Sequence, residues 1–87
     1  MVKITDLNND DYQLLEEIEI VFENEEGTLI GWIDWLNLWA DGENEDKIVE
    51  ELKSDIIWLY KELNSGVKLG VDLRNIREKL NKIIIVK

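Results

Sequence analysis

Cysteine, histidine and proline are absent from this 87-residue chain. Without cysteine there is no disulfide framework and no thiolate chemistry. Without histidine the commonest acid–base side chain and the commonest metal ligand are both missing. Basic residues are scarce: 10 Lys and Arg stand against 20 Asp and Glu, a formal net charge of -10. Such a balance repels phosphate backbones and disfavours direct nucleic-acid binding. It attracts a basic partner and speeds the encounter, although the same charge also serves plain solubility. Long apolar runs are lacking as well. None approaches the ~20 residues that cross a bilayer, so no membrane partner is expected. Met1–Asp11 turns polar almost at once and shows no signal-peptide pattern, so the expected location is cytoplasmic.

What is present is the composition of a folded domain. Apolar residues make up 45% of the chain, enough to balance a charged fraction of 34%. The length is that of one domain, residues 1–87. A chain this short buries a modest core, so a docked partner or a second copy would add stability.

Residues 6–11, Asp-Leu-Asn-Asn-Asp-Asp, read as a polar loop, and 12–16 lead into a strand. From Glu17 to Glu23 the pattern alternates. Ile18, Ile20 and Phe22 share one face, and Glu17, Glu19, Val21 and Glu23 share the other, which predicts a half-buried strand. Asn24-Glu25-Glu26-Gly27 is a tight turn in which Gly27 supplies a positive φ. Thr28–Trp35 is then the returning strand, and Leu38–Ala40 a short third one. Asn44 is a helix N-cap, with Glu45 and Asp46 in the first turn where the helix dipole favours negative charge. Ile48, Val49, Leu52, Ile56, Leu59, Tyr60 and Leu63 form one stripe of a helix over 45–63, ended by Asn64-Ser65-Gly66. Asp72 caps a second helix with Leu73, Ile76 and Leu80 on one face. Residues 83–86 suit a strand by β-branching and a helix by spacing; the reading favours a helix giving way to a short terminal strand. The expected fold is α+β: a three-stranded antiparallel meander, a long helix packed on the Ile18, Ile20 and Phe22 face, a second helix and that short strand.

Acids are plentiful, but most fall at positions expected to face solvent. Asp34 is the exception, embedded in an apolar strand; as a structural residue it would occupy an edge or turn position and bond locally. Asp6, Asn8, Asp10, Tyr12 and Glu17 match five ligand positions of an EF-hand loop. Asp11 stands where that loop needs Gly, however, and no helices flank it. No metal, cofactor or catalytic set is therefore expected, and the chain is read as a binding protein rather than an enzyme.

The four tryptophans are the stronger signal. Trp58 points among Lys47, Glu51, Ser54 and Glu62, away from the helix stripe. Trp32 and Trp35 would lie on opposite faces of one strand, so one helix cannot cover both. Exposed indoles among charges resemble interface anchors, although small proteins also leave a Trp partly exposed. The candidate partner-binding residues are Trp32, Trp35, Trp39 and Trp58, with Glu17, Glu19 and Glu23 as a charged rim.

On these residues the chain resembles the small HicB-like proteins of toxin–antitoxin systems. The strand Ile18–Glu23, the turn Glu25-Glu26-Gly27 and the strand Ile30-Gly31-Trp32-Ile33 match the opening of that family's partly RNase H-like core. Leu36 to Asp46, with Gly42 and an acid before the cap Asn44, match its turn into the helix, and Leu52-Lys53 follow. Asp34 replaces the usual Pro, and Lys47-Ile48 the usual Glu-Ala. Leu59–Leu63 and Leu80–Ile84 resemble a short-form branch without a C-terminal DNA-binding domain, so repression of its own operon is not expected. The resemblance implies an antitoxin-type protein that sequesters a small basic RNA-cleaving toxin. The competing expectation is a stand-alone homodimer or higher oligomer of the same fold with a structural or regulatory role. An enzyme of RNase H-like ancestry centred on Asp34 is a third.

Overall fold

A computed structural model describes residues 2–87. The alternation at 18–25 forms strand β3 (Ile18–Glu25), with Ile18 and Ile20 fully buried and Glu19, Val21 and Glu23 exposed. β3 pairs antiparallel with β4 (Thr28–Ile33) through a two-residue loop, since Glu25 faces Thr28. Both loop residues have positive φ, Glu26 at 51° and Gly27 at 83°. That left-handed pair matches the twist of the flanking strands. β5 (Leu38–Gly42) pairs antiparallel with β4, completing the meander.

An N-terminal strand extends this meander. β1 (Val2–Ile4) pairs antiparallel with β3, Ile4 opposite Ile18, so the sheet has four strands in the order β1-β3-β4-β5. A second ribbon joins β2 (Tyr12–Leu14) to β6 (Ile84–Val86), with Leu14 opposite Ile84. The backbone N–H of Lys87 donates to the Asp11 carbonyl at 2.9 Å, and that of Leu15 to Ile83 at 2.6 Å. The chain ends are thus stitched into the body. Both β1 and β2 go beyond the three-stranded expectation.

β4 also stops sooner than the sequence predicts. Asp34–Leu36 is a 3₁₀ turn, closed by Asn37 in the left-handed region at φ 53°, its N–H donating to the Asp34 carbonyl at 3.1 Å. Trp35 therefore does not belong to the strand that carries Trp32.

Helix α1 (Glu45–Leu63) starts where Asn44 Oδ1 accepts the Lys47 N–H at 3.0 Å. Its stripe Ile48, Leu52, Ile56 and Leu63 is buried against the face bearing Ile18, Ile20, Ile33 and Ala40. Gly31 lets it approach: a Cβ there would stand 2.7 Å from Ile48 Cγ2 and 3.0 Å from Phe22 Cε1. Helix α2 (Val71–Ile83) buries Leu80 and Ile83 in the same core. It is tied to the end of α1 by reciprocal amide bonds between Asn64 and Asn81, 2.9 and 3.1 Å. The core is wholly apolar: no polar or charged residue among those described is buried. Each such aliphatic side chain contributes about 1.5–3 kcal/mol on leaving water. No helix of the described residues is long and apolar enough to cross a membrane.

Candidate functional site

Helix α1 covers one face of the four-stranded sheet, and α2 packs against α1 and β6. The other face has no covering element among the described residues. Strand pleating and register decide what it shows. Val21, Trp32 and Trp39 stand directly opposite one another on β3, β4 and β5 and form one apolar row. Val21 is 43% exposed and Trp39 67%, while Trp32 between them is half-buried. The next row is Glu23, Ile30 and Asp41, an aliphatic residue between two exposed acids. Glu23, Ile30, Trp32 and Trp39 of these rows, together with Glu25 and the exposed Asp34, line a shallow concavity of ≈ 340 Å³. β5 is the outer strand of the sheet, so the concavity also borders an unpaired strand edge.

The four indoles do not form one patch. Trp32 and Trp39 come together on the open face. Trp35 is carried by the 3₁₀ turn to the core, half-buried, with the Lys79 ammonium of α2 4.0 Å from its ring centre. That cation–π contact ties the turn before β5 to α2 and sets Trp35 apart from the Trp32–Trp39 pair. Trp58 is 61% exposed on the outward side of α1, remote from the open sheet face. One turn before it, burial raises the Asp55 carboxyl above the ordinary carboxylate value.

The expected acidic rim also divides. Glu19 and Glu23 flank Val21 on the open face. Glu17 lies beyond the end of β3, and its carboxylate is 3.3 Å from Lys3 Nζ on β1. It belongs to the β1 edge rather than to the indole row. Sequence reasoning missed Asp41 and Ile30, which alternation along β4 and β5 would have placed beside Trp32 and Trp39. Only one other ion pair forms among the described residues, Lys47 with Glu43. The acids of the open face consequently present their charge to solvent.

Asp34 stands exposed at the head of its turn, where its carbonyl accepts the Asn37 N–H. Asp6 Oδ1 accepts the N–H of Asn8, and Asn9 Oδ1 that of Asp11 at 2.8 Å. The loop that matched an EF-hand thus folds on itself as two Asx turns and runs into β2. No group of three or more Asp or Glu among the described residues stands close enough together to hold a metal ion.

No family model, curated protein or solved structure matches the chain.

Proposed function

We propose that the chain is a docking protein whose open sheet face captures a basic protein partner. The observation that carries this reading is the uncovered row Val21–Trp32–Trp39, framed by Glu19, Glu23 and Asp41. A flat apolar strip with an indole at each of two adjacent strands offers anchor area at low conformational cost. The acids around it select lysine- and arginine-rich surfaces and accelerate their encounter. An exposed indole also accepts a cation over its face. Among basic partners, a small RNA-cleaving toxin is the one that the HicB-like resemblance names, and the proposed role is that of an antitoxin.

The test is co-expression with the product of an adjoining short, basic reading frame. Retention of that product at low salt, and relief of the growth arrest it causes, support the reading. Replacing Trp39 by Ser is expected to weaken the complex by at least about tenfold, the scale of an interface anchor. A complex whose affinity Trp39→Ser and Glu23→Lys leave unchanged contradicts this docking face.

A further inference from the structure

The charge of this chain is divided between two ends. Residues 1–66 hold 18 of the 20 acids and 4 of the 10 bases, a balance of -14; residues 67–87 hold 2 acids and 6 bases, a balance of +4. The fold keeps the two apart. The open sheet face is acidic, while α2 packs with α1 away from that face; exposed Lys68 just before α2 and Arg74 in its second turn outnumber the one acid at this end, Asp72. That basic end is also incompletely covered: Val67 is 51% exposed, Val71 62% and Leu73 44%. Leu73 continues the stripe of Ile76 and Leu80, so the apolar side of α2 is buried at its C-terminal end and open at its N-terminal end.

We propose that copies of this chain associate head to tail, the basic, apolar start of α2 of one copy seated on the indole row of the next. Both surfaces join exposed aliphatic or aromatic area to charge, and the charges are of opposite sign. The two surfaces lie on different sides of the molecule, so the contact is heterologous rather than a two-fold one. The net charge of -10 opposes growth at a distance. At physiological salt the screening length is about 8 Å, so the local pairing governs the contact. The inference shares the sheet face with the proposed function, and self-association would then compete with a basic partner for that face.

The experiment uses the full chain alone, so its failure is separate from failure to bind a partner. Sedimentation velocity over a concentration series is expected to show a mass that rises with concentration and falls at high salt. Glu23→Lys with Asp41→Lys reverses the sheet face, and Lys68→Glu with Arg74→Glu reverses the start of α2. Each pair lies at exposed positions, and each is expected to weaken self-association by at least about tenfold. An equimolar mixture of the two double variants restores it, because each reversed surface then meets its complement. A wild-type chain that stays monomeric throughout overturns the inference. So does association strengthened by Glu23→Lys with Asp41→Lys, which marks a face-to-face contact, or a mixture that restores nothing.

Discussion

The two faces of the four-stranded sheet are built from the same strands and differ in every respect that matters for function. On the helix side, Ile18, Ile20, Ile33 and Ala40 meet Ile48, Leu52 and Ile56 in a dry layer without a polar group. On the open side, Val21, Trp32 and Trp39 alternate with those residues along the same strands and meet only one another across the row. Large apolar side chains held in register without a cover contribute little to folding and remain available to a partner. The helix face is thus the seat of stability, and the open face is the proposed seat of binding. Substitutions should separate the two.

The largest effect is expected in the core. Leu52→Ala opens a cavity in the centre of the helix layer and should cost about 2–5 kcal/mol in chemical denaturation. Gly31→Ala follows. Its methyl group would press on Ile48 and Phe22, and a loss of about 1–3 kcal/mol is expected by the same measurement. Trp39→Ser and Glu23→Lys, on the open side, should change stability by less than about 1 kcal/mol. If Trp39→Ser instead unfolds the chain, the division between the faces fails. Glu26→Asn should stabilise by about 0.5 kcal/mol, because Asn tolerates the left-handed conformation of that hairpin position better than Glu.

The smallest effect concerns Asp55, whose carboxyl burial raises in the folded state. The folded chain therefore holds that proton more tightly than the unfolded chain. The charged carboxylate destabilises the fold above its raised pKa, and the penalty disappears as pH falls below the ordinary value of 3.8. Asp55→Asn should accordingly raise the melting temperature slightly at neutral pH and not at acid pH. The gain is expected to stay well under about 1 kcal/mol, since solvent screens the group.

Much of this architecture is legible in the sequence where a signal is local. Alternation from Ile18 to Phe22, the Gly27 turn, the Asn44 cap and the stripe from Ile48 to Leu63 each lie within one element, and each forms as read. The helix that yields to a strand at Ile84 follows the same rule. β1 and β2 have three residues each, too few for a period to register. Their identity comes from partners far along the chain, Ile18–Ile20 for one and Ile84–Val86 for the other. The exposed placement of Trp58 is legible from its spacing among charges. That of Trp35 is not, because its fate depends on Asn37 turning left-handed and on Lys79 forty-four residues later. Glu17 likewise takes its place from Lys3, a strand that the sequence does not announce.

The central claim is that the row Val21–Trp32–Trp39 is the surface that a basic partner covers. Indole N–H resonances report it directly, because four tryptophans give four separable signals from distinct parts of the molecule. On titration with a basic partner that co-expression retains, the signals of Trp32 and Trp39 should shift together while Trp58 stays in place. Saturable movement of Trp58 with Trp32 and Trp39 unmoved would contradict the account.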